Sequence, residues 1–167
     1  MKTLRYLAYG SNLLPARLGA RLGGIRALGR IALPGWELQF HKSGGDGSGK
    51  CDLVASPGGH AFGAIYEISV ADRVRLDTIE GVGHGYRGTT IEITAIGQVY
   101  VYLAEDTHIN PELQPFDWYH GFVVAGARHH GFPADYIAAI ESITPTRDSD
   151  DERRGANLAI LHGTPPP

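Results

Sequence analysis

The stretch Ala61–Leu103, AFGAIYEISVADRVRLDTIEGVGHGYRGTTIEITAIGQVYVYL, decides the fold class. Phe62, Ala64, Tyr66 and Ile68 alternate with other side chains, the period of a half-buried strand. Ser69 then supplies a hydroxyl where a helix needs an N-cap, and Val70–Glu80 continues without a breaker. Gly81, Gly83 and Gly85 stop that helix. Thr89, Ile91, Ile93 and Ala95 resume the strand period. A turn at Ile96-Gly97 returns it through Val99, Val101 and Leu103, which predicts a hairpin. One helix is thus followed by an antiparallel pair, not by a single parallel strand. A doubly wound parallel sheet needs strict alternation, so an α+β domain around a curled or closed sheet fits better.

The flanks agree. Leu4–Tyr9 is a short apolar strand ended by Gly10. Ser11 or Asn12 can cap a short helix in which Pro15 is tolerated and Leu14, Leu18 and Leu22 share a face. Ile25–Leu33 and Trp36–His41 are strand-like, and Ser43–Gly49 is a loop by composition. Trp118, Phe122 and Ala125 follow helical spacing. Tyr136, Ala139, Ile140 and Ile143 do so again after Gly131-Phe132-Pro133. This predicts one domain over 1–145 and a polar, mobile tail over 146–167.

Composition narrows the function. At 167 residues the chain has the length of a single domain. Lys and Arg number 15 against 18 Asp and Glu, a net charge of −3 that argues against nucleic acid or an anionic membrane as partner. The single Cys51 excludes an intrachain disulfide framework and a cysteine-based zinc cluster. No apolar run spans a membrane and no signal-peptide core opens the chain, so a cytoplasmic protein is expected. The eight histidines follow no metal-ligand spacing. Gly44–Lys50 has the glycine and lysine spacing of a phosphate loop. Cys51 stands where Ser or Thr should hold magnesium, however, and a strand follows where a helix should, so a hairpin loop is the better reading.

Two constellations remain. Tyr9-Gly10-Ser11-Asn12 ends the first strand with a glycine turn whose N–H groups could bind a carboxylate or an oxyanion. Simple helix capping is the competing reading. Leu76–Gly81 places Glu80 at a helix C-terminus, beside Asp77 and against the dipole, surroundings that favour a protonated carboxylate and suit proton transfer near neutral pH. A solvated glutamate at a fraying end is the competing reading.

Together these segments resemble the gamma-glutamylcyclotransferase-like family. The resemblance is carried in order by Tyr9–Asn12, Leu76–Gly81, Tyr86, Tyr119 through Gly126-Ala127, and Gly131-Phe132-Pro133-Ala134-Asp135-Tyr136. It implies an antiparallel-rich β-barrel with flanking helices and one pocket at its mouth. It implies cyclisation of a γ-glutamyl group to 5-oxoproline with release of an amine. Glu80 matches the catalytic carboxylate. Tyr6, Leu7, Ala8, Tyr9, Gly10, Ser11 and Asn12 match the segment that cradles the glutamyl part, and Tyr86 and Tyr119 match pocket-lining aromatics. The implied partner is a small γ-glutamyl molecule, without cofactor or metal; monomer and homodimer stay open. Asp77 is expected to shape the site. The Ser43–Lys50 loop departs from the tryptophan-containing segment of animal members, and Trp118 stands where a small residue or proline is frequent. Both are expected near the leaving-group side. A binding module on the same scaffold, without turnover, is the alternative.

Overall fold

The computed structural model describes residues 2–94 and 96–163. Five strands, β1 (Thr3–Ala8), β2 (Arg26–Ser43), β3 (Gly49–Ser69), β4 (Tyr86–Ile93) and β5 (Gly97–Ala104), form one sheet in the order β2-β3-β1-β5-β4. All neighbours are antiparallel except β1 and β5. Five helices accompany them: α1 (Pro15–Leu22), α2 (Val70–Glu80), α3 (Asp117–His129), α4 (Ala134–Glu141) and α5 (Asp151–His162).

The α+β class expected from the sequence is the observed one, but the barrel is not closed. Edge strands β2 and β4 do not pair among the described residues; a cleft of about 260 Å³, lined by Ile31–Pro34, Trp36 and Glu92–Thr94, lies between them. The sheet curls because β2 slips register against β3 at Ala27/Gly29, Pro34/Trp36 and Gln39/Lys42, and each irregularity adds twist. The same slips join the two strands expected at Ile25–Leu33 and Trp36–His41 into one. The glycine-rich segment is the hairpin turn between β2 and β3, as read, not a phosphate loop.

Helix α2 has the predicted bounds. The Ser69 side chain accepts from Asp72 N at 3.0 Å, and Gly81 closes the helix at φ 71°. The segment after the first strand differs. Ser11–Leu13 is one 3₁₀ turn, and neither Ser11 nor Asn12 makes a side-chain cap; Leu14 precedes α1. Helix α3 pins this turn. The Leu13 carbonyl accepts from Tyr66 Oη at 2.8 Å and lies 2.9 Å from His130 Nε2. Gly126 leaves room for the close approach, since a Cβ there would lie 2.7 Å from Leu14 N.

The expected mobile tail is replaced, over 151–162, by α5, capped by Asp150 and packed on α3. Leu161 covers Gly121. Asp148 is fully buried, accepting from Trp118 Nε1 at 2.8 Å and from Arg153 Nε at 2.7 Å. The charged residues before Leu158 hid this helix in the sequence. Residues 164–167, also part of the expected tail, lie outside the described residues.

Candidate active site

Strand β1 delivers Tyr6 and the turn after it; α2 delivers Glu80; β3, β4, β5 and α3 deliver Cys51, Tyr86, Tyr102 and Tyr119. These residues, with Tyr9, Gly10, Ser11 and Asn12, line a narrow cavity of about 30 Å³. That is room for one or two water-sized groups, or the oxygens of a carboxylate. Of the expected site residues, Tyr6, Tyr9, Gly10, Ser11, Asn12, Glu80, Tyr86 and Tyr119 meet there; Leu7 and Ala8 do not, being buried in the core. A second chamber of about 370 Å³ adjoins it, sharing Ser11, Glu80, Tyr86 and Tyr119.

Glu80 is held rather than fraying. Its Oε1 accepts from Asn12 Nδ2 at 2.8 Å and from the Arg21 guanidinium. Asn12 also donates to Tyr6 Oη at 2.9 Å and accepts from Arg21 at 3.0 Å. Asn12 therefore serves the carboxylate, which is why it caps no helix. Oε2 of Glu80 carries no hydrogen bond among the described residues. The repulsion expected from Asp77 is redirected. That carboxylate accepts from Tyr100 and Tyr102 Oη at 2.9 and 2.8 Å and pairs with Arg73. Arg21, 59 positions before Glu80 in the chain, was not foreseen as its partner, and neither Cys51 nor Tyr102 was foreseen as lining. Only the pairing of distant strands brings them in.

The walls are hydrogen-bonded and unreactive. Tyr119 Oη accepts from Cys51 N at 3.0 Å, and Tyr86 Oη donates to Cys51 O at 2.5 Å. Burial raises Tyr6, Tyr86 and Tyr119 well above the usual phenol range, so all are neutral donors. Burial also pushes the Cys51 thiol up to about 12, which removes it as a nucleophile near neutral pH. Gly10 is needed on steric grounds: a Cβ would sit 2.9 Å from Cys51 Cβ. The N–H groups of Gly10 and Ser11 enter none of the backbone hydrogen bonds of the turn, whose Leu13 N–H returns to Gly10 O at 3.0 Å. Both residues line the cavity. Among the described residues, no group of three His, Cys, Asp or Glu could hold a metal ion, and no helix is long and apolar enough to cross a membrane.

The profile of the AIG2-like family matches residues 60–140. The chain is similar to human gamma-glutamylcyclotransferase, 26% identical over 148 residues that span 84% of this chain and 78% of that one. It is similar to the bovine enzyme of the same name at 27% over 148 residues, with the same coverage. The chain is similar to gamma-glutamylcyclotransferases over most of its length. A solved structure named gamma-glutamyl cyclotransferase shares the fold, with a TM-score of 0.79, 24% identity, and coverage of 97% of this chain and 99% of that one.

Proposed function

We propose that this gamma-glutamylcyclotransferase-like enzyme converts a γ-glutamyl amino acid or γ-glutamyl amine to 5-oxoproline and the free amine. The observation that carries the reading is Glu80. It lines both the inner cavity and the outer chamber, with one oxygen fixed by Asn12 and Arg21 and the other unbonded. A carboxylate held in this way can exchange a proton without losing its position.

The Tyr9–Asn12 turn holds the glutamyl moiety, its Gly10 and Ser11 N–H groups serving the α-carboxylate or the developing oxyanion. Glu80 takes a proton from the α-amine. The freed nitrogen attacks the γ-carbonyl carbon and closes the five-membered ring. Glu80 then returns the proton to the departing nitrogen as the old amide bond breaks. The nucleophile and the electrophile belong to one molecule, so holding the chain folded supplies much of the acceleration. No side-chain nucleophile is required, in keeping with the protonated, buried Cys51. Tyr86 and Tyr119 wall the reacting centre with neutral hydroxyls.

Glu80→Gln keeps the size and the Oε1 acceptor but removes the base. It should lower kcat by about 10²–10⁴-fold, with circular dichroism and ligand affinity close to the parent. A folded Glu80→Gln protein with undiminished kcat would refute the mechanism.

A further inference from the structure

The outer chamber carries more positive charge than its own carboxylates balance. Arg17, Arg21, Lys42 and Lys50 line it together with Glu80 and Asp46. Two of the cations are matched within the wall: Arg21 pairs with Glu80, and Lys50 Nζ lies 2.7 Å from Asp46 Oδ2. Arg17 and Lys42 have no carboxylate within 4.0 Å among the described residues.

Both unmatched groups are costly where they stand. Lys42 is only 6% exposed, and its ammonium rests 4.5 Å from the Tyr86 ring centroid. The Arg17 guanidinium lies 4.7 Å from the Phe122 centroid, donates once to Asn157 Oδ1 at 2.7 Å, and leaves its buried Nε without a partner. Burial lowers both pKa values, Arg17 to about 10, which keeps its guanidinium cationic at neutral pH. A buried cation without a counter-charge is destabilising unless something else compensates it. Space is also kept for Lys42. A Cβ at Gly85, which has φ 127°, would lie 2.8 Å from Lys42 Nζ. Folding alone gives no reason to keep two unpaired cations beside an open chamber.

We propose that this chamber selects a leaving group with two carboxylates, an acidic amino acid joined through its nitrogen to the γ-glutamyl carbonyl, and that Lys42 and Arg17 are the residues that select it. The inference rests on the cyclisation reading above. Glu80 stands at the wall shared by the two cavities, so the bond that breaks lies beside it and the departing amine occupies the larger chamber. Two unpaired cations match two carboxylates in number. A γ-glutamyl amine without a carboxylate would leave both cations uncompensated. The reaction itself is unchanged: the α-nitrogen bonds the γ-carbon, and the acidic amino acid leaves with the proton that Glu80 returns.

The test compares γ-glutamyl-glutamate with γ-glutamyl-glutamine, equal in size and different by one charge. Wild-type kcat/KM for the glutamate compound should exceed that for the glutamine compound by about tenfold at low salt, the scale of one charge-assisted hydrogen bond. The ratio should shrink as salt rises. Of Lys42→Met and Arg17→Met, the one whose cation faces the side-chain carboxylate should bring it to within about twofold of one, the other should lower kcat/KM for both compounds alike, and Lys42→Arg should keep most of the ratio. The ratio is internal to each variant, so a loss of folded protein does not mimic the effect. Equal rates in the wild type, or a ratio unmoved in both neutral variants, would overturn the proposal. If neither compound yields 5-oxoproline, the reading of the reaction fails. Binding titrations with the same pair then judge the chamber, and equal affinities would overturn it.

Discussion

Gly126→Ala should loosen the site without touching it. Gly126 lies in α3, and an added Cβ would meet Leu14 N at 2.7 Å, Leu13 C at 2.8 Å and, closer still, Leu13 Cβ. Ordinary contact begins near 3.4 Å, so α3 and the 3₁₀ turn must part by about 0.7 Å or more. The opposing atoms belong to backbone and to a Cβ and cannot swing away. Overpacking of this kind costs about 3 kcal/mol at the upper end of its usual range. Helix propensity returns about 1 kcal/mol for alanine over glycine. A net loss of about 2 kcal/mol in a chain of this size lowers Tm by about 4–8 °C. The displaced turn carries Ser11 and Asn12, and a misplacement approaching 1 Å costs about 10-fold to 100-fold in rate. The assay pairs a thermal melt with kcat/KM for 5-oxoproline release. Gly155→Ala in α5 is the control, because nothing lies within 4 Å of a Cβ there. It should raise Tm by about 2–4 °C. If Gly126→Ala stabilises the protein as Gly155→Ala does, with full activity, the close approach of α3 to the turn is wrong.

Three further outcomes follow from individual contacts. With its thiol pushed up to about 12 and its side chain buried, Cys51 should resist iodoacetamide at pH 8 in the native protein and react promptly in urea; rapid native labelling would contradict the packing of the cavity floor. Tyr86→Phe removes the hydroxyl that donates to Cys51 O and should cost about 0.5–1.5 kcal/mol of stability and less than tenfold in kcat/KM. An unchanged kcat/KM would show that the hydroxyl has no part in substrate handling. The Arg153 guanidinium holds the Asp148 carboxyl below the usual range, so its stabilisation is complete above the unfolded carboxylate value and lost as pH falls through the lower folded one. The wild-type melt should therefore fall more between pH 4 and pH 2 than that of Asp148→Asn, and parallel curves would contradict this anchor.

What the sequence made legible was local. Helix α2 carries its own cap at Ser69, its own stop at Gly81 and strand periods on either side, so its bounds needed no tertiary information. Glu80 could be singled out for the same reason, since its place at a helix end is a matter of counting. The environment of Glu80 was not local. Asn12 looked like a cap because its immediate neighbours allow one, yet its amide goes to a carboxylate 68 positions along the chain. Arg21 and Lys42 carried no local signal in the sequence, and only the tertiary fold brings them to the chamber that Glu80 lines. The break expected at Pro34-Gly35 failed for a related reason. Partner strand β3 absorbs the irregularity by pairing Pro34 with His60 and then Trp36 with Ala55, and a single strand cannot reveal what its neighbour tolerates. Helix α5 was missed because its anchor, Asp148, is a charge that the core accepts only with Trp118 and Arg153 around it.

The central claim is that the γ-glutamyl group closes on itself rather than being hydrolysed. The most direct measurement is mass spectrometry of the products from γ-glutamyl-glutamate in ¹⁸O water, with the Glu80→Gln protein run beside the wild type. The account predicts unlabelled 5-oxoproline equimolar with the released amino acid, and almost none of either from the variant. Release of ¹⁸O-labelled glutamate from the γ-glutamyl part, or equal product from both proteins, would contradict it.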